Sequence, residues 1–378
     1  SGISISTSYL FPLFLIGHYF YIKFLFKRNV LFLNFVPGWL FGFGFFFSSM
    51  HWIINPFLIY EEHKSFAPFV ILIFPFLMGL FFALPSFLIT LFKNLINIDK
   101  NLFISSFFIT FFLFSSEILR SKIFGGLPFN LYGHIWVFDE RFFKIVALVG
   151  VYGLSFLTIF WMVISILLFI KKKISCIIPF TSFPLILIII SFLYEKENLE
   201  QNNTLDVRVV QPNILQKEKW DKSLFQQHVD KLLRLSERAK KSSKLIVVWP
   251  EAAMTVYLNE NNDLLNYIRS NIDDSTTIIT GGLRRDFVNN SFKIYNSLFV
   301  LEKNGFAFYD KKHLVPFGEF IPLRSILNFW KITPGKTDFS SGEKKNLLTL
   351  VNDNREILFE PSICYEAIFQ TFNFKEIK

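Results

Sequence analysis

Apolar residues fill most of residues 8–194 in long uninterrupted runs, and charged residues mark the breaks between them. A helix needs roughly 20 such residues to cross a bilayer, so six membrane helices are predicted, at 8–26, 30–50, 66–92, 102–118, 145–170 and 175–194. From Leu205 the pattern changes to short β-rich runs separated by polar stretches: LDVRVVQPN, LIVVWPE, TTIITGGL, YNSLFVLEK and REILFEPSICYE. The runs around Val209 and Val247 are apolar on both faces, which predicts strands buried in a sheet. Between the first two runs, Leu224, Val229, Leu232, Leu233 and Leu235 follow helical spacing, and residues 261–271 give a second, shorter helix. Strand, helix, strand, helix, strand predicts a layered α/β unit. The expected domains are a helical membrane part, 1–200, and a soluble-like part, 201–378.

Charge refines this picture. The net charge of +9 comes from lysines and arginines scattered among helix ends and connections, with no dense patch interleaved with aromatics. Flanking cations of a membrane protein explain it better than a nucleic-acid surface, so no nucleic-acid partner is expected. The connections holding Lys23, Lys27 and Arg28, then Lys93 and Lys100, then Lys171, Lys172 and Lys173 alternate with less basic ones. The positive-inside rule puts the basic set in the cytoplasm, and parity then delivers everything after Tyr194 to the outer face. The same parity leaves Ser1 outside, which predicts a further membrane helix before it. Cys176 and Cys364 lie in unlike surroundings and the six histidines show no ligand spacing. Neither a disulfide framework nor a metal or other cofactor is expected.

Two features interrupt the membrane part. Glu117 and Arg120 stand three apart near a helix end, where they can pair on one face, and a snorkelling interfacial pair is the expected reading. The segment FGGLPFNLYGHIW, 124–136, is apolar, aromatic and turn-rich, which predicts an anchor lying in the headgroup layer.

In the second part, YDKKHLVPFGEFIP, 309–322, sets lysines, a histidine and a glutamate beside Pro316, Gly318 and Pro322. Such a mixture makes poor helix and poor strand, and predicts a shaped loop able to hold a cation, Lys311 or Lys312, and a carboxylate, Glu319. Glu251 follows an apolar strand and a proline. A carboxylate at a strand end, where α/β active sites gather, suits a general base. Cys364 sits where another apolar strand gives way to a turn, and a thiol there becomes a nucleophile only if a base or cation lies near it.

Taken in order, Glu251 after W-P, the lysine motif YDKKHLVPFGEF and Cys364 in ICYE resemble the Glu-Lys-Cys triad of the nitrilase superfamily. Together with GWLFGFGFFFSSMHW, 38–52, and the 117–134 region, they resemble its membrane-anchored branch, the apolipoprotein N-acyltransferase family. The resemblance implies a bundle of transmembrane helices followed by an extracytoplasmic αββα sandwich, in a bacterial inner membrane with the catalytic part on the periplasmic side. It implies Glu251 as general base, Lys311 rather than Lys312 as the cation steadying the tetrahedral intermediate, and Cys364 as acyl-accepting nucleophile. Glu319 matches a further active-site glutamate, Tyr365 and Glu366 match the residues after the nucleophile, and Trp220 matches a tryptophan associated with lipid binding. The implied partners are a phospholipid acyl donor and an apolipoprotein amine acceptor, the acyl chain passing through a Cys thioester. Against the family pattern the chain is expected to be truncated at both ends. A membrane-tethered amidase that hydrolyses a C–N bond, and an inactive remnant, are the alternative expectations.

Overall fold

The computed structural model describes residues 11–27, 30–59, 61–96, 101–137, 139, 141–193, 206–237, 245–303, 305–322, 337–343, 347–352 and 355–369. The chain forms two compact units, Ser1–Asn198 and Leu199–Lys378.

In the first unit, helices stand at every position that the apolar runs predict: Phe11–Lys27, Leu31–Ser49, Ala67–Met78 continuing as Leu80–Ile96, Leu102–Arg120, Arg141–Ile170 and Ile177–Leu193. Among the described residues, four helical stretches are long and apolar enough to cross a membrane: Ala67–Leu95, Leu102–Arg120, Lys144–Ile170 and Ile174–Leu193. In the last, only 11% of an apolar 18-residue window is buried inside the protein. So much outward-facing apolar surface suits lipid and not water; this is the helical unit of a membrane protein.

Without a hydrophobic force between helices in lipid, close approach and buried hydrogen bonds must join them. Gly38 supplies the approach, since a Cβ there would lie 2.1 Å from Ser86 Oγ. Asn34 Nδ2 donates to Thr90 Oγ1 at 2.7 Å, and the Tyr21 hydroxyl lies 2.8 Å from Ser86 Oγ. The helix Leu102–Arg120 starts where Asn101 Oδ1 caps the amides of Phe103 and Ile104.

Two expectations for this unit are corrected. Glu117 and Arg120 do not snorkel; both are buried. Arg120 Nη1 donates to the carbonyls of Leu127 and Phe129 at 2.6 and 2.7 Å, and Glu117 Oε1 accepts from the Tyr132 amide at 2.7 Å. The pair thus binds the very segment expected to lie in the headgroup layer. Within that segment Tyr132, Gly133, Ile135 and Trp136 are buried, and Trp136 Nε1 donates to Thr158 Oγ1 at 2.8 Å. A turn-rich segment has many backbone groups that helices cannot satisfy, and the two charged side chains satisfy three of them.

The second unit holds a six-stranded mixed sheet. Its strands are β1 (Asp206–Val209), β2 (Leu245–Val248), β3 (Met254–Tyr257), β4 (Thr276–Val288), β5 (Ser291–Glu302) and β6 (Gly305–Asp310), in the order β1-β2-β4-β5-β6 with β3 beside β4. β1, β2 and β4 are parallel, while β4, β5 and β6 run antiparallel. Asn289 and Asn290, with φ of 50° and 59°, form the tight turn joining β4 to β5. The helices Phe225–Ser236 and Asn262–Ser270 cover one face, with Val229, Leu232, Leu265 and Ile268 packed on Val247, Ile278 and Phe299. On the other face Ile246, Val300 and Tyr309 meet Leu348 and Leu350 of a two-stranded sheet, β7 (Leu348–Asn352) and β8 (Arg355–Phe359). Helix, sheet and second sheet make three layers of the expected sandwich among the described residues. One burial expectation fails. Val247 is fully buried, but Val209 is 76% exposed because β1 is the edge of the sheet.

Candidate active site

The site is assembled from strand ends. Trp249 continues β2 by donating its amide to the Ile279 carbonyl of β4, and the chain then turns away at Pro250 and Glu251. Gly281 of β4 permits that turn: a Cβ there would come within 2.4 Å of the Ala252 nitrogen and 2.7 Å of Glu251 Cα. Ala252 itself takes a left-handed φ of 47°. The Glu251 side chain is left 36% exposed.

Lys311 follows the last residue of β6. Its amide donates to the Asn296 carbonyl of β5 at 2.9 Å, which continues the β5–β6 ladder by one residue and turns the side chain into the protein. There it is 1% exposed. Its Nζ lies 3.0 Å from Glu319 and 3.6 Å from Glu251 Oε1. A buried ammonium is tolerated only with such partners. Glu319 is held by the loop it belongs to, since its Oε2 accepts from the Val315 amide at 2.8 Å while its own amide donates to the Val315 carbonyl. Residues 311–322 form the shaped loop predicted over 309–322, while Tyr309 and Asp310 instead end β6.

Cys364 lies just beyond β8, at the start of a short 3-10 turn, Cys364–Ile368, with a left-handed φ of 48° and an exposed side chain. Such a backbone costs a residue with a Cβ about 1–2 kcal/mol and persists only where neighbours enforce it. Glu366 is the enforcer. Its Oε2 accepts from the Ile363 amide at 2.9 Å, and its Oε1 accepts from the Tyr309 hydroxyl and from the amides of Lys312 and His313. One buried carboxylate therefore fastens the cysteine turn to the lysine loop. Glu251 and Lys311 both act on the Cys364 thiol. Burial, and then the negative charge of Glu251, push the thiol above its ordinary value, with Lys311 pulling the other way. The resting group is a thiol with a carboxylate positioned to take its proton.

The structure thus brings Glu251, Lys311, Glu319, Cys364 and Glu366 into one cluster. Tyr365 packs edge-on against Phe369, with ring centroids 5.1 Å apart, and burial pushes its hydroxyl up to about 12. Trp220 is half-buried and its indole nitrogen has no acceptor among the described residues.

Two participants escaped the sequence reading. Asn296 Nδ2 donates to both Glu251 Oε1 and Glu319 Oε1 at 2.8 Å, so one amide sets the spacing of the two carboxylates around Lys311. Its signal was a polar residue in the middle of a strand-like run, YNSLFV. Lys219 donates to the Glu251 carbonyl at 3.0 Å. It was passed over as one lysine among several in QKEKWDK. Chemically, the cluster offers a nucleophile, a proton acceptor and a buried cation, the set that transfer of an acyl group requires.

Comparison with known proteins matches the two halves of the chain separately. Residues 2–164 match the apolipoprotein N-acyltransferase N-terminal domain, and residues 206–374 match the carbon-nitrogen hydrolase family. The chain is similar to the apolipoprotein N-acyltransferase of Rickettsia prowazekii, 33% identical over 346 residues, which cover 89% of this chain and 66% of that protein. It is 30% identical to the enzymes of the same name from Brucella melitensis, over 347 residues (88% of the chain, 64% of the relative), and Rhizobium rhizogenes, over 367 residues (91% and 66%). The chain thus spans a little under two thirds of the length of these curated relatives.

Proposed function

Because this chain belongs to the apolipoprotein N-acyltransferase family, we propose that it moves a fatty acyl group from a membrane phospholipid to the N-terminal α-amine of a diacylglyceryl-cysteine apolipoprotein. The observation that carries the reading is the Lys311 ammonium held between Glu251 and Glu319 beside the exposed thiol of Cys364.

In the first half-reaction, Cys364 Sγ attacks the ester carbonyl carbon as Glu251 takes the thiol proton. Lys311 stabilises the oxyanion of the tetrahedral intermediate. The C–O bond breaks, the lysophospholipid leaves with the proton from Glu251, and a thioester remains on Cys364. In the second half, the acceptor amine attacks the thioester carbonyl, a C–N bond forms, the C–S bond breaks, and the proton released by the amine returns through Glu251 to the thiolate. Glu319 and Glu366 hold the lysine and the cysteine turn, Tyr365 supports that turn, and Trp220 meets the lipid. No cofactor enters either step.

The reading divides the chain into a multi-pass anchoring part, 1–200, and a catalytic part, 201–378. It sets the catalytic part on the periplasmic side of the inner membrane, which the alternation of basic and less basic connections supports. Two membrane-bound substrates give a physical reason for mounting this chemistry on helices.

The test is a labelled phospholipid supplied to membranes containing the full-length protein. A hydroxylamine-labile acyl adduct forms, Cys364→Ala abolishes it, and a lipopeptide amine discharges it faster than water does. Labelling of Cys364→Ala at the parent level would reject the nucleophile; equal discharge by water and amine would turn the reading to an amidase.

A further inference from the structure

The site contains two lysines, and their surroundings differ. Lys311 has carboxylate oxygens at 3.0 and 3.6 Å. Lys219 is half-buried, and among the described residues the only hydrogen-bond partner of its ammonium is the main-chain carbonyl of Glu251. No carboxylate of those residues comes within ion-pairing distance of it. An ammonium has three N–H donors, and the carbonyl takes one. Its neighbours Lys217 and Lys222 are exposed and solvated, so Lys219 alone in QKEKWDK carries charge that burial has partly stripped of water. That burial lowers the ammonium from its ordinary value, while Glu251 acts to raise it.

A partly desolvated cation with no ion-pair partner among the described residues, fixed by the backbone of the proposed catalytic base, is a site for an anion that arrives with the substrate. In a phospholipid the acyl ester and the phosphodiester are joined through one glycerol unit. A donor whose ester carbonyl meets Cys364 therefore carries a single negative charge one glycerol away from the reacting carbon. The neighbouring residue, Trp220, presents a half-buried aromatic surface beside the same lysine.

We propose that Lys219 binds the phosphodiester of the acyl donor and thereby selects phospholipids over neutral acylglycerols. The inference rests on the acyl-transfer reading above. Lys311 serves the oxyanion in the transition state, whereas Lys219 holds a charge already present in the ground state. Its contribution therefore falls on KM and on donor choice.

The full chain, reconstituted in nanodiscs, is supplied with phosphatidylglycerol or with a diacylglycerol of identical acyl chains, and adduct formation on Cys364 is followed for each. The expected result is a preference for the phospholipid that drops about tenfold in Lys219→Met through a raised KM, and that Lys219→Arg retains. Added salt erodes the preference of the parent and leaves that of Lys219→Met unmoved. A Lys219→Met protein with the parent's donor ratio overturns the proposal. So does one that loses both donors in equal proportion, which is the behaviour of a residue that only supports Glu251. Absence of any adduct in the parent, with Cys364 still open to alkylation, overturns the acyl-transfer reading itself, so the two failures are distinct.

Discussion

Both units of this protein bury charge, but they commit it differently. In the helical unit Arg120 gives its Nη1 to the carbonyls of Leu127 and Phe129, and Glu117 takes the Tyr132 amide. These three partners are main-chain groups, so the two charges, which also act on each other, fix one segment of backbone. In the sheet unit Lys311 faces side-chain carboxylates, and one of these, Glu251, is also 36% exposed and acts on a thiol. A buried ion held by backbone has a fixed task; one held by other titratable groups can change its share of charge during a reaction. The environment of a charge, more than its burial, separates structure from chemistry.

The sharpest way to break this contrast is to neutralise the two ends of the Glu251–Lys311 pair separately. Glu251→Gln removes the proton acceptor, and adduct formation on Cys364 is expected to fall roughly 10²- to 10⁴-fold. Lys311→Met removes the oxyanion's cation at a cost of roughly 10²- to 10³-fold. Both slow the transfer, yet they act oppositely on the thiol. Glu251 raises the thiol above its ordinary value, so its loss shifts the pH dependence of iodoacetamide alkylation to lower pH. Lys311 lowers it, so its loss shifts the profile to higher pH. Alkylation profiles moving the same way in the two variants would refute the electrostatic account.

How much of this was legible beforehand depends on whether a feature is local in sequence. The helices, the two amphipathic segments 221–241 and 261–271, and β1, β2, β4, β5 and β8 follow from periodicity. β3, β6 and β7 were missed. Each is only four to six residues long, and MTVY and GFAFYD show no clean alternation in that span. The turn at Asn289 and Asn290 carried a signal in its own residues, since asparagine accepts positive φ. The edge position of β1, which exposes Val209, depends on strand order and cannot be read from four residues. The site divides in the same way. Glu251, Lys311 and Cys364 each stand at the end of an apolar run, and motif order drew attention to them. Asn296 matters because β5 pairs with β6 through Ser297 and Asp310, which brings it beside Lys311, and that register lies outside any linear pattern. The burial of Glu117 and Arg120 was misjudged for a related reason: their partners lie 7 to 15 residues away in an irregular segment.

The helical side of the contrast has its own test. Arg120→Ala leaves two part-buried carbonyls without their donor, and the expected cost is about 2–3 kcal/mol of stability, read from thermal unfolding in detergent. Because Arg120 is not among the groups that act on the thiol, the alkylation profile of Cys364 should not shift. Faster proteolysis within 124–136 would locate the damage in the segment that Arg120 holds.

Glu366 supplies the finest discrimination, because it belongs to the catalytic unit yet is bound in the manner of the helical one. It is 2% exposed, and three of its four donors are main-chain amides, the fourth being the Tyr309 hydroxyl. In Glu366→Gln the amide oxygen can keep the three donors now on Oε1, whereas the amide nitrogen, itself a donor, cannot accept from Ile363. One buried bond is lost, worth about 1–2 kcal/mol in thermal stability. Glu366 is not among the groups whose charge acts on the thiol. The pH midpoint of Cys364 alkylation should therefore stay at the parent value even as the melting temperature falls. A midpoint that moved with this substitution would mean that a carboxylate bound mainly by backbone still tunes the nucleophile, and the distinction between charges that hold and charges that react would have to be given up.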